Sequence, residues 1–252
     1  MSDPDMQNVA ADAGAAIEAA VVVFMLHPET FGASVAAGYE NPLSGYVAGR
    51  GGVLGEASGA TVAAIFAVFE PTGLAAMWDE GVAVRGAAGA AQVYWEQTAE
   101  FGRKYLTGAE GLERLAALGE KVIAATPAPA LPLYAGWRDM PLAQDAPARA
   151  LQVMFVLREL RAALHFGALA LAGIAPIEAH MLNKGAEYAA IFGWPEPYAD
   201  GADKKDRYDE AEQLTNRRMT EILSAALEPA EMEELARLST AALQTLQANV
   251  PS

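Results

Sequence analysis

The 252-residue chain contains no cysteine. A disulfide framework, a thiolate nucleophile and a cysteine-ligated zinc or iron–sulfur centre are therefore all closed to it. Histidine is scarce as well. The three imidazoles, His27, His165 and His180, do not fall into the HxH, HxxxH or HExxH spacings of a metal site. No metal is expected, haem on a single histidine is a minority alternative, and the residues name no cofactor. No GxSxG elbow occurs, so hydrolysis by an activated serine has no positive support.

Positive charge is also in short supply: 17 Lys and Arg face 32 Asp and Glu, for a formal net charge of −15. A field of that sign repels phosphate backbones and anionic membranes, so neither nucleic acid nor a membrane is expected as a partner. Long apolar runs are missing. The strongest early one, AAVVVFML at 19–26, is shorter than a membrane span, and Asp12 and Glu18 interrupt its extension. The opening MSDPDMQNVAADAG is acidic and lacks the basic region of a signal peptide. A cytoplasmic protein is the expectation.

What the chain does have is Ala, Leu, Gly and Glu, with few β-branched and aromatic residues, which favours a mainly α fold. The pattern predicts a helix from about Asp5 to Leu26, ended by His27-Pro28. A glycine-rich stretch at 38–59, with Asn-Pro and Ser-Gly turn signals, is read as the least helical part of this half. Helices come next near 60–69, 74–78, 81–105 and 109–125. The prolines of TPAPALPLYAGW at 126–137 mark the expected boundary between an N-terminal helical domain, 1–130, and a second part, 131–252. A long helix is predicted from Pro147 to Ala172, then short helices at 176–184 and 185–193, an irregular charged stretch at 194–210, and two terminal helices. Leu235, Leu238, Ala242 and Leu246 share one face, as a packed terminal helix or a homodimer seam requires.

The informative stretch is VLRELRAALHFGAL at 156–169. At about 100° per residue, Arg158, Arg161 and His165 fall within roughly 60° of one another on an otherwise apolar helix. Glu159, Gln152 and Arg149 form a second polar stripe. Unpartnered buried guanidiniums cost several kcal/mol each, so an anionic ligand, water or carboxylates from other helices must meet them. A second candidate region is YVAGRGGVLG. Here Gly49, Gly51 and Gly52 flank Arg50 and would permit close ligand approach or positive φ, although the spacing is neither a Walker loop nor GxGxxG. His27 stands at a helix end.

These residues suggest a small-molecule-binding protein, with or without catalysis, that has an internal pocket for an anionic or carbonyl-bearing ligand. Arg50, Arg158 and Arg161 would hold the negative group, and His165 or His27, with Tyr46 as a further donor, would transfer a proton. The alternative is a ligand-responsive winged-helix transcription regulator.

Five segments carry a resemblance: HP at 27–28, GYVAGRGGVLG at 45–55, FEP at 69–71, RELRAALH at 158–165 and AGIAPIEA at 172–179. In them the chain resembles a largely actinobacterial family of uncharacterised helix-turn-helix or winged-helix proteins. That resemblance implies an N-terminal helical bundle and a winged-helix-like, MarR-like C-terminal part with little β. In that part 176–184 would be the scaffold helix, 185–193 the recognition helix and 194–210 the wing. The second of these helices offers Glu187 and Tyr188 but no basic side chain. Only Lys204, Lys205 and Arg207 of the wing suit DNA, and four aspartates surround them.

Overall fold

The computed structural model describes residues 4–251; the readings of Met1 to Asp3 and Ser252 lie outside it. Helices account for 78% of the described residues, and no strand occurs among them. The N-terminal half holds α1 (Pro4–Met25), α2 (Pro28–Ala36), α3 (Pro42–Gly51), α4 (Gly59–Phe66), α5 (Pro71–Tyr105) and α6 (Leu112–Ala125). After it come α7 (Pro132–Arg138), α8 (Ala146–Leu171), α9 (Pro176–Asn183), α10 (Ala186–Ile191), α11 (Lys205–Ala226) and α12 (Pro229–Asn249).

Proline, read as the stop of the first helix at His27-Pro28, mostly marks helix starts. Pro28, Pro42, Pro71, Pro132, Pro176 and Pro229 each open a helix, where a missing N–H costs nothing and the fixed φ is already helical. The residue ahead of several of them supplies the cap. Asn41 Oδ1 accepts from Leu43 N–H, and the Glu70 carboxylate accepts from Thr72 and Gly73 N–H. This local chemistry corrects two expectations: the glycine-rich stretch contains α3, and the 126–137 break contains α7. The helices expected at 74–78 and 81–105 are one element, α5, bent at Gly86, whose φ of 70° interrupts the helical backbone.

At the centre lies α8. From Ala150 to Leu157 every residue is buried, which explains why this helix is apolar nearly all round. It packs against α1, α5, α6, α7 and α11, and Phe155 meets an aromatic cluster of Tyr94, Trp95 and Trp137. The main core draws side chains from Ala10 through Leu246 and so runs across the boundary expected at residue 130. Helix α1 is long and apolar enough to cross a membrane, yet half of its most apolar stretch is buried within the fold, against α8, α11 and α12. In α12, Leu235, Leu238, Ala242 and Leu246 are buried within the chain itself. Of the two roles open to that face, it is the packed one, and it offers no seam to a second copy.

Candidate functional site: an ionic cavity beside a helix pair

Helix α8 carries Arg158, Arg161 and His165 of one polar stripe and Gln152 and Glu159 of the other inward, while Arg149 stays partly exposed beside Glu120. Arg158 leans toward α1, where its Nε and Nη2 donate to the two oxygens of Glu18, each at 3.1 Å. On the neighbouring face, Glu159 receives Nε and Nη2 of Arg50 from α3 at 2.8 and 2.9 Å, a bidentate pair with both side chains at most 2% exposed. Arg158 Nη1 also donates to Glu159 at 3.1 Å, which joins the pairs into one chain: Glu18, Arg158, Glu159, Arg50. Two carboxylates and two guanidiniums cancel. Burial opposes the charged form of Glu159, but Arg50 and Arg158 outweigh it and hold the carboxyl below its ordinary range. Burial likewise opposes the Arg50 cation, and Glu159, with Tyr46, more than restores it. The Arg50 guanidinium also lies 4.4 Å from the ring centre of Phe66, and its Nη1 donates to Tyr46 Oη at 3.4 Å.

One helical turn further along α8, Arg161 Nη2 donates to Glu212 at 3.2 Å and Asn216 at 3.4 Å, both on α11. His165 sits between Thr215 Oγ1, 3.4 Å from Nδ1, and Glu212, 3.5 Å from Nε2. Burial lowers the affinity of this imidazole for a proton; Glu212 opposes that effect and Arg161 adds to it. Tyr208 donates to the same carboxylate at 3.3 Å, and burial with the Glu212 charge pushes its phenol up to about 12.

Five of the six residues singled out from the sequence, Tyr46, Arg50, Arg158, Arg161 and His165, line one cavity of about 670 Å³. His27 is elsewhere. It caps α2, where Nδ1 accepts from Glu29 N–H, and its ring packs edge-on against Phe101 and Tyr105. The glycines around Arg50 are also reassigned. They lie in α3 and the 3-10 turn that continues it, with ordinary negative φ at Gly51 and Gly52. Their missing Cβ atoms admit protein rather than ligand: Tyr94 at Gly49, Trp78 at Gly51, and the backbone of α5 at Gly52. No anion-binding loop is formed there.

Sequence reasoning missed the partners Glu18, Glu212, Thr215 and Tyr208, and the far wall of the cavity made by His180, Asn183, Lys184, Tyr188 and Phe192. Glu18 did carry a signal: it is the lone charge in a long Ala- and Val-rich stretch, the counterpart of the arginines in α8. Among the described residues, no group of three or more His, Asp and Glu is placed to hold a metal ion.

That far wall is a pair of short helices. The chain turns by 109° between α8 and α9 through Ala172–Ala175, with Gly173 at φ 67°, and then passes from α9 to α10 through Lys184 and Gly185, at φ 83°. The α8–α9 turn, short, with a left-handed glycine and a near-perpendicular crossing, has the geometry of a helix-turn-helix unit, and α10 follows α9 through a second short glycine turn. The pair is pinned to the α4–α5 loop: the Val68 carbonyl accepts from Trp194 Nε1 at 2.9 Å and faces His180 Nε2 at 2.6 Å, and Glu70 N–H donates to the Phe192 carbonyl. The expected wing, 194–210, has no strand among the described residues; it is a loop, a 3-10 turn and the start of α11.

The molecule is thus a mainly α-helical protein in which a tightly turned helix pair walls an ionic cavity. Residues 10–250 match the model of a helix-turn-helix family, and the protein belongs to that family. No curated protein and no solved structure matches the chain. Family membership overturns the expectation that nucleic acid is not a partner, because the motif that defines such families is a duplex-binding one. The error lay in reasoning from total charge. Contacts to a groove are made by a few local side chains, and distant carboxylates are screened beyond about 8–10 Å.

Proposed function

We propose that the protein is a cytoplasmic, ligand-responsive regulator. It contacts duplex DNA through the segment from the end of α8 to Arg207, and its effector pocket is the ionic cavity. The observation that carries this reading is the helix-turn-helix family match over residues 10–250. Two features support the coupling of pocket and helix pair. Side chains at the end of α9 and on α10, among them Lys184 and Tyr188, line the cavity together with Arg158 and His165 of α8. An occupant that presses on Tyr188 or Phe192 shifts the pair directly, because α10 is a short element held mainly by its neighbours.

The cations of that segment suited to phosphate are the exposed Lys184, Lys205 and Arg207. Lys205 pairs with Asp209 at an exposed site, a contact weak enough to be exchanged for a phosphate. Lys204 is more firmly engaged, by the Glu178 carboxylate and the Gly173 carbonyl. Inside the cavity Arg158 and Arg161 each face a carboxylate, so the effector carries carbonyl or hydroxyl groups that meet a neutral lattice of donors and acceptors.

Fluorescence anisotropy with a labelled duplex tests the DNA reading. Affinity should fall steeply with added salt, and the Lys205→Glu/Arg207→Glu variant should bind about tenfold more weakly or worse at low salt, with a shallower dependence on salt. Absence of duplex binding at low salt, or binding untouched by the double charge reversal, would rule out this mode.

A further inference from the structure

A second, larger cavity adjoins the first, with Ala162, Phe166 and Leu169 of α8 in the wall they share. It is a cleft of about 950 Å³ between α4, the start of α5, the segment before α7, α8 and α9, and none of the six candidate residues of the sequence lines it. We infer that this cleft is a binding site for an uncharged, predominantly apolar small molecule. The inference goes beyond the regulator reading and stands whether or not the protein binds DNA.

The lining is the first argument. Ten of the residues around the cleft are alanines, including Ala63 and Ala64 on α4 and Ala162 and Ala163 on α8. The cleft opens to solvent at Ala60, Ala64, Ala130 and Ala170, and helices that pack against one another ordinarily present Leu, Ile or Phe to close the space between them. Alanine on several helices at once keeps it open, at a size typical of ligand pockets.

Charge is the second argument. Glu159 is the one ionisable residue in the lining, and both its oxygens are taken: Oε1 by Arg50 and Arg158, Oε2 by Arg50. The nearby indole N–H of Trp194 is given to the Val68 carbonyl. A charged ligand would lose its hydration and find no counter-charge, whereas an apolar one loses nothing.

The third is backbone geometry. Among the described residues, the non-glycine positions with positive φ are Ala67, at 59°, and Ala130, at 63°, and both line this cleft. Left-handed backbone at an L-residue is disfavoured and collects at ligand sites, where the surrounding structure holds it. Here the two positions come from separate segments of the rim, one from the α4–α5 loop and one from the turn before α7.

Two dyes of nearly the same shape separate the possibilities: neutral N-phenyl-1-naphthylamine and its anionic relative 8-anilinonaphthalene-1-sulfonate. Each is titrated into the full chain at about 0.15 M salt, where long-range repulsion by the acidic surface is screened. The neutral dye should bind with one-to-one stoichiometry and about tenfold or more tightly than the sulfonate. Ala163→Phe and Ala64→Phe, which fill the cleft alone, should each abolish that binding, while Ala19→Phe, which fills the ionic cavity alone, should leave it unchanged. Ala64 is exposed, so its variant keeps the test informative if Ala163→Phe fails to fold. Equal affinity for both dyes, no saturable binding, or loss of binding in Ala19→Phe but not in the cleft variants would overturn the proposal. Since no DNA is present, dye binding without duplex binding preserves the cleft and removes the regulator, and the reverse result does the opposite.

Discussion

Glu159 is where the chemistry of the interior concentrates. It lies between two guanidiniums with 1% exposure, and its removal leaves Arg50 and the inner face of Arg158 without a counter-charge in a dry setting. Breaking a buried pair in this way destabilises by about 3–5 kcal/mol, more than an average core substitution. Glu159→Leu should therefore lower the urea midpoint of unfolding sharply. Arg50→Met/Glu159→Leu should recover part of the loss, since an apolar pair no longer strands a charge. A double variant as unstable as the single one would place the deficit elsewhere. The arginines of VLRELRAALH were legible as a conflict between charge and burial. Their resolution was not, because Glu18 lies 140 positions away from Arg158 and Arg50 lies 109 from Glu159, and no local pattern links such partners.

Among the elements, the α3–α5 contact shows how little space the fold leaves. A Cβ on Gly52 would stand 2.2 Å from the Ala87 carbonyl oxygen and 2.8 Å from Ala91 N, both backbone atoms that cannot turn aside. Gly52→Ala must push α3 and its 3-10 extension away from α5, at about 1–3 kcal/mol or more. Thermal unfolding should show a clear drop for this variant, whereas Gly167→Ala, at an exposed site with open space around it, should be neutral or slightly stabilising because alanine favours helix. Equal melting of the two proteins would contradict the close approach. The glycines of GYVAGRGGVLG were visible in the sequence, but their purpose was misread as room for a ligand: only the position of α5 reveals that the room is already taken. The helix starts were half legible. Asn41-Pro42 and Glu70-Pro71 are cap signals as readily as stop signals, and the choice rests on whether the residues after the proline find a core to pack against.

For the whole molecule, acid stability should fall in two stages. Burial depresses the proton affinity of His165 and His180 below the ordinary 6.5, so the unfolded chain takes up these protons first. Their contribution is complete above that value and is lost as pH drops below it. Arg50 and Arg158 hold Glu159 below the ordinary 4.5 against the cost of its burial, so its contribution is complete above 4.5 and is lost as pH falls further. Melting temperature measured from about pH 8 to pH 2 should decline in that order, and His165→Gln/His180→Gln should flatten the first stage. An unchanged first stage in the double variant would assign the drop to other groups. At this scale net charge proved a poor guide to partners, as the helix-turn-helix family match shows, because it averages over surfaces that a bound molecule never meets.

Composition and local pattern were enough to establish that the protein is helical, roughly where its long helices run, that thiol chemistry is closed to it, and that α8 brings charge into a core. These rest on periodicity, on residue content and on the cost of burying an ion, all of which act locally or do not depend on partner identity. Only the folded arrangement settled which carboxylates neutralise the arginines, that the terminal helix packs inward, that His27 caps a helix far from the cavity, and that alanines from several helices leave a cleft open. Each of these is a matter of which distant segments come into contact. That outcome is set by the packing of all the helices at once rather than by any stretch of chain read alone.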